Sequence, residues 1–373
     1  MKKILYNITL TLYLSLLLSD DIIENNIYYL EPGPNLVSFN VLPENTSIND
    51  IFLPIQNNLI SIITEGQISY NSDGEWVGGL TNLDYSNGYW IIASDISLID
   101  IYGSRNTNMT YYLNNGANLI SYPYENSQSI IDALPFYSYY NTVAIIGQNE
   151  AALISNNQVF GSLTHFEPNK GYWFLMSEPA LFEFNNSINT GNQSNHNTET
   201  NDSNREFNFN QSTAQSVFFI NEAYHSNNSL IEDDELIIEC NNILVGGTQW
   251  KGQYTDLIAM GNDGNTYSES YCENSQDITI KLKINDSEYN DLYIIGNNQW
   301  NDNNISIISL SDFELADINF DNNINVTDII IIIEHIINNN ILTDPQQLLL
   351  SDVNSDENIN ITDVIFIIDS IID

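Results

Sequence analysis

Positive charge is what this sequence has least of. Lys and Arg total 8 against 49 Asp and Glu, a formal net charge of -41 over 373 residues. Recognition of a phosphate backbone needs clustered Lys and Arg, so nucleic acid is excluded as an expected partner. An acidic surface instead keeps a chain soluble and attracts cations, divalent ions among them. The plainer meaning of such acidity is adaptation to a salty medium, where self-repulsion is screened. Catalytic signatures are missing as well. There is no His-Glu-x-x-His, no Gly-x-Ser-x-Gly and no phosphate loop. The four histidines, His165, His196, His225 and His335, are scattered. Acidic pairs such as Asp233-Asp234 are so abundant that no one pair marks a glycosidase site. The chain is therefore expected not to be an enzyme, with a glycoside hydrolase as the runner-up.

Cysteine is scarce too. Cys240 and Cys272 lie in the same later stretch and could pair in an oxidising compartment, but their spacing alone does not decide whether they are close enough. The only long apolar run near the start is Ile4–Leu18, behind Met1-Lys2-Lys3. That arrangement is expected to be a secretory signal over residues 1–19, too short for a comfortable membrane span. No Cys follows it, so a lipid anchor is not indicated. A secreted or extracellular place, with cell-surface association as an option and no span in the mature chain, is the resulting expectation, and an uncleaved N-terminal anchor is the alternative.

What is present is repetition. Tyr28-Tyr29-Leu30, Gly33 and Asn35-Leu36-Val37-Ser38-Phe39 return as Tyr111-Tyr112-Leu113, Gly116 and Asn118-Leu119-Ile120-Ser121-Tyr122. Gly78-Gly79-Leu80-Thr81 and Gly88-Tyr89-Trp90 return as Gly161-Ser162-Leu163-Thr164 and Gly171-Tyr172-Trp173, at the same offset of 83. Two copies of one unit are expected over residues 26–103 and 110–185. Within each, short alternating runs separated by Asp73-Gly74 or Asn87-Gly88 predict β-hairpins. Ser47–Phe52 and Ser129–Leu134 predict brief helical turns capped by Ser. Trp90 and Trp173 are expected in the core, and Trp76, which has no Trp counterpart, as the better candidate for an exposed contact.

Residues 186–204, rich in Asn, Ser and Thr, predict a linker. Residues 205–310 resume β character in Ser216–Ile220, Glu235–Glu239, Asp277–Ile284 and Asp291–Ile295. Turns are expected at Gly246-Gly247 and at Asn262-Asp263-Gly264. This third module is expected to be a β-sandwich. Asp256 and Asp263 are candidates to hold an ion, with a turn the favoured use of Asp263-Gly264.

The last stretch, residues 315–373, has a different chemistry. Asp317, Asn319, Asp321, Asn325 and Asp328 stand at positions 1, 3, 5, 9 and 12 of a twelve-residue run. The same places recur 35 residues on as Asp352, Asn354, Asp356, Asn360 and Asp363. Calcium takes six to eight oxygen ligands, and alternation on a tight loop aims successive side chains at one centre. Asn323 and Asn358 at position 7 would add backbone carbonyls, and Ile324 and Ile359 at position 8 would pack the loops together. Two calcium sites are therefore expected. After each loop, Ile329–Ile337 and Val364–Ile372 have strand-like propensity, but the loop context predicts helices, with Thr327 and Thr362 as caps. Their apolar excess predicts an exposed docking surface.

Asp instead of Glu at position 12, the duplication, and no convincing helix before each loop make this stretch resemble the dockerin family. The resemblance implies a small calcium-binding α-helical module that binds a cohesin domain on another protein. Family loops usually carry Gly at positions 4 and 6. Here Phe320 and Asn322, then Ser355 and Glu357, stand there. Glu357 in left-handed geometry costs about 1 kcal/mol, so the second site is expected to be the weaker. The third module is similar to uncharacterised β modules of secreted, dockerin-bearing marine bacterial proteins. The whole is expected to be a mainly β multidomain chain with a helical tail. Its expected partners are a cohesin-like domain or other extracellular protein, and glycan. The runner-up role is a component of polysaccharide breakdown.

Overall fold

The computed structural model describes residues 23–185, 207–285 and 288–372. The expected signal segment, residues 1–19, and the expected linker, residues 186–204, lie outside the described residues. The described chain is mainly antiparallel β, followed by helices over the last stretch.

The two repeated units share one strand order. In the first, a five-stranded sheet runs Gly33–Ser38, Gly88–Ala93, Leu59–Thr64, Gln67–Ser72, Glu75–Gly78. In the second the order is Gly116–Ser121, Gly171–Met176, Thr142–Ile146, Ala151–Ser155, Gln158–Phe160. The tight hairpin before each last strand needs two left-handed residues. Asp73 and Gly74 supply them at φ 53° and 91°, and Asn156 and Asn157 at φ 50° and 60°. Helix α1 (Ile48–Ile51) follows Ser47, and α2 (Ile130–Ala133) follows Ser129, whose hydroxyl accepts from the Asp132 amide. Asn87-Gly88, expected as a turn, instead leads straight into the strand Gly88–Ala93.

The two units meet about a local two-fold relation. The Ser38 amide donates to the Asn169 carbonyl at 2.9 Å, and its counterpart Ser121 donates to the Ser86 carbonyl at 3.0 Å. Leu36 N–H donates to the Gln148 side chain, and Leu119 N–H donates to Glu65. Leu36, Leu119 and Trp90 form a small shared core, with Trp173 packed against it. Trp90 thus has the core role expected of it. Trp76 does not fit its expectation. It is half-buried on the first unit's core, its ring 6.3 Å from that of Phe52, because the hairpin folds back over α1.

The third module has two layers that share one bent strand. Residues Leu292 and before on Glu288–Gly296 pair with Thr279–Asn285, whereas Tyr293 to Gly296 pair with Ile305–Ser311. One layer continues through Gln215–His225 to Thr255–Met260, the other through Glu235–Cys240 to Ile243–Gln249. Gln215–His225 and Ile305–Ser311 form a parallel pair. Cys240 and Cys272 form a disulfide, with Cα atoms 5.4 Å apart. Gly246-Gly247 is not the expected turn but lies within a strand. A Cβ on Gly246 would stand 1.9 Å from the Ile258 carbonyl oxygen, and one on Gly247 would stand 2.5 Å from the Phe207 ring. Gly246 lets the two layers approach and Gly247 makes room for the Phe207 ring, and neither reverses the chain.

The second unit and the third module share one core. Ala144, Ile146, Ala151 and Leu153 are buried together with Val217, Phe219, Leu257 and Ala259. Asp256 crosses that boundary, accepting from the Ala151 and Ser162 amides at 3.2 and 2.8 Å and from the Ser162 hydroxyl at 2.6 Å. Burial raises its carboxyl above the ordinary range despite these bonds. Asp256 is thus engaged in joining units. Asp263 organises a turn, accepting from Thr213, Asn265, Tyr267 and Ser268. Burial pushes its carboxyl up, but those donors outweigh it and hold it below the usual range.

Candidate metal centre and docking faces

The two twelve-residue loops have one geometry. In the first, both Asp317 oxygens accept from amides, Asp321 N–H at 3.1 Å and Asn322 N–H at 2.8 Å. In the second, Asp352 accepts from Asp356 and Glu357 at 3.0 and 2.8 Å. At position 12, Asp328 takes the amides of Ile318, Asn319 and Asn325, and Asp363 takes those of Val353, Asn354 and Asn360. Asp328 and Asp363 are fully buried, as is Asp317, whereas Asp352 is half-buried. Burial raises the Asp317 carboxyl above its ordinary value against the amide bonds, and the charges of Asp328 and Asp321 push the same way.

Asp321 and Asp356 at position 5 accept from the amides of Asn323 and Asn358. Those two residues, at position 7, present backbone carbonyls that accept from the amide groups of Asn325 and Asn360. Asn319 and Asn354 at position 3 accept the position 5 amides through their side-chain oxygens. Every expected site residue therefore stands on one of the two loops, in matching places. Among the described residues no three His, Cys, Asp or Glu side chains gather closely enough to hold an ion by themselves. Each loop's donor set is mixed, with three carboxylates, two amide oxygens and a backbone carbonyl. That all-oxygen chemistry fits a hard divalent cation such as calcium.

Backbone conformation explains how the loops close without glycine. Phe320 and Asn322 adopt φ 62° and 63°, and Ser355 and Glu357 adopt φ 58° and 65°. The left-handed turns that Gly would accept freely are here borne by side-chain-carrying residues. Phe320 has a compensating contact, its ring lying 4.8 Å from that of Phe313. Glu357 is exposed.

Each loop runs into a helix, α3 (Val326–Ile336) and α5 (Ile361–Ile372). The cap of α3 is Asn325, in a capping box with Asp328, not Thr327 as expected. The Thr327 hydroxyl donates to the Asn325 side chain, and Thr362 does the same to Asn360. Asp328, the position 12 residue of the first loop, thus serves both loop and helix. Between α3 and α5, directly before the second loop where no convincing helix is expected from the sequence, lies α4 (Pro345–Ser351). Its signal was Asp344-Pro345: the Asp344 side chain caps Gln347 N–H at 3.1 Å, and Pro takes the first turn.

Ile329, Ile332, Val364 and Ile367 are buried together with Ala316, Ile318 and Leu350, and Ile324 and Ile359 pack on them. The outer faces remain apolar and exposed. Val326, Ile330, Ile333 and Ile337 on one side correspond, 35 residues on, to Ile361, Ile365, Ile368 and Ile372. Among the described residues no helix is long and apolar enough to cross a membrane, so these faces are not a bilayer span.

The tail is thus a duplicated loop-and-helix module of oxygen donors with two related apolar faces. Residues 315–372 match the family described as Dockerin type I domain, and this stretch of the chain is such a domain. Type I dockerins typically bind calcium and dock onto cohesins, and the proteins that carry them are generally extracellular or parts of cellulosome-like assemblies. No curated protein and no solved structure matches the chain.

Proposed function

We propose that this chain is a secreted, non-catalytic modular protein that attaches through its calcium-loaded dockerin to a cohesin-type partner. Asp317, Asn319, Asp321, Asn325 and Asp328, with the Asn323 carbonyl, hold one calcium. Asp352, Asn354, Asp356, Asn360 and Asp363, with the Asn358 carbonyl, hold the other. The ion offsets the mutual repulsion of the crowded carboxylates and fixes the start of each helix. The partner is then met by the exposed isoleucine faces. The observation that carries this reading is the repetition at 35 residues of the whole hydrogen-bonding pattern and of the exposed face together.

Calorimetric titration of the full chain with calcium, followed by titration with a cohesin domain, tests it. Two calcium sites and a cohesin affinity lost on chelation are expected. Absence of calcium-linked heat would sink the reading. Ile330→Asp together with Ile365→Asp should abolish cohesin binding while calcium binding persists.

A second reading, a carbohydrate-binding accessory in polysaccharide breakdown, is supported by another repeated surface. Tyr29 faces Leu98 across one exposed ribbon, and Tyr112 faces Leu181 across its counterpart. The tyrosines are 56% and 77% exposed. Hydrogen-bonded polar pairs flank them, Asn25 with Asp100 at 3.0 Å and Thr110 with Glu183 at 2.5 Å. An aromatic face beside carboxylate and amide groups suits a sugar ring. Polysaccharide retention that Tyr29→Ala with Tyr112→Ala abolishes would favour it, and no retention by the parent chain would dismiss it.

A further inference from the structure

The dockerin is not hung from the third module on a free tether. Ile295, on the bent strand of that module, packs into the dockerin's own core. Gln346 of α4 is buried and donates to the Ser311 hydroxyl at 3.0 Å and to Asp312 at 2.9 Å. Asp312 in turn accepts the Ser226 amide at 2.6 Å. The Ala316 amide donates to the Leu350 carbonyl at 3.1 Å. Residues 311–316 are therefore held from both sides. Beside them, a cleft of about 520 Å³ lies between Ile295, Ile307 and Ser309 of the third module and Leu348, Ser355, Glu357 and Ile359 of the dockerin.

Phe320 links this joint to the first loop. It occupies loop position 4 in the left-handed conformation, at φ 62°, that a side-chain-bearing residue adopts at a cost. Its ring reaches Phe313, in the held segment, with an interplanar angle of 33°. In the closed loop the backbone turn at Phe320 holds the ring against Phe313. A loop that gave up this turn would carry the ring away from Phe313. Whatever closes the loop therefore favours the joint, and by linkage the joint favours closure to the same degree.

We infer that Phe320 makes calcium binding at the first loop and the seating of the dockerin on the third module one coupled event. The inference rests on the calcium reading of the loops and adds a consequence for a distant β module. Phe320 acts here as a positioning residue, touching no ion.

Hydrogen exchange of the full chain, with calcium and with chelator, reads the coupling in Glu288–Gly296 and Ile305–Ser311, where no calcium ligand lies. Calcium should slow exchange there about fivefold, the size expected of one aromatic pair. Phe320→Tyr should keep the effect, and Phe320→Gly should lose it while calorimetry still records calcium. Phe313→Ala leaves every loop residue in place and should weaken calcium at the first loop about fivefold, the reciprocal of the same coupling. Calcium heat without protection of those strands in the parent chain would overturn the coupling alone. Unchanged protection in Phe320→Gly, or unchanged affinity in Phe313→Ala, would do so too. No calcium heat in the parent chain would overturn both the coupling and the calcium reading beneath it.

Discussion

Glu150 offers a test of the packing between the second repeated unit and its neighbours, because its side chain is asked to keep a proton. It closes the turn after Thr142–Ile146, where Gly147 N–H donates to the Glu150 carbonyl at 2.8 Å. A Cβ on Gly147 would stand 3.0 Å from the Glu150 side chain and 3.4 Å from the Tyr172 ring, so the side chain lies over a tight spot. Burial raises its pKa from 4.5 to about 7, Lys170 opposes that rise, and the charges of Asp256 and Glu167 add to it. The folded chain therefore binds this proton more tightly than the unfolded chain. Stability from that proton is fully present below the ordinary value of 4.5 and is lost as pH rises toward about 7. At about 1.4 kcal/mol per pH unit, the full loss is about 3 kcal/mol. Glu150→Gln keeps the shape and has no proton to lose. Urea unfolding of both chains, at fixed salt and calcium, should show little difference near pH 4, about 1 kcal/mol in favour of Gln at pH 5, and about 3 kcal/mol at pH 8. A gap that stays constant across that range, or that favours Glu at high pH, would refute the burial argument.

The remaining predictions concern other parts of the chain. Gly246→Ala places a methyl against the Ile258 carbonyl at 1.9 Å and should destabilise the third module by about 3 kcal/mol, or prevent its folding, as thermal unfolding will show. Reducing the Cys240–Cys272 disulfide, whose partners are 32 residues apart, should lower stability by about 3 kcal/mol, read as a fall in the thermal midpoint with reductant. Glu357→Gly releases a left-handed residue at φ 65° and should raise calcium affinity at the second loop about fivefold by calorimetry. An unchanged affinity would mean that the turn there is not strained.

Much of the architecture could be read in advance where one residue type carries one local duty. The offset of 83 announced two like units, and their strand orders agree. The twelve-residue pattern announced the two loops, because alternating oxygen donors and a closing Asp have few other uses. The same local logic overrode the β-branched character of Ile329–Ile337, and the stretch is helical as far as Ile336. Misreadings arose where a residue's duty depends on what lies across from it. Gly246-Gly247 looks like a turn in one dimension and is a place of close approach, to Ile258 and to Phe207, in three. Trp76 looks unmatched, yet its partner is Phe52, just past the end of α1. Thr327 is a good cap by type, but the backbone entering α3 places Asn325 where the cap must be.

Charge, duplication and the pattern of oxygen donors were determined by the sequence alone, since each depends on which residues are present and at what spacing. Only the tertiary structure decided that the disulfide closes, that the second unit and the third module share one core, and that Phe320 rests on Phe313. Each of those is a contact between segments far apart or differently folded, and its energy depends on a fit that spacing does not encode.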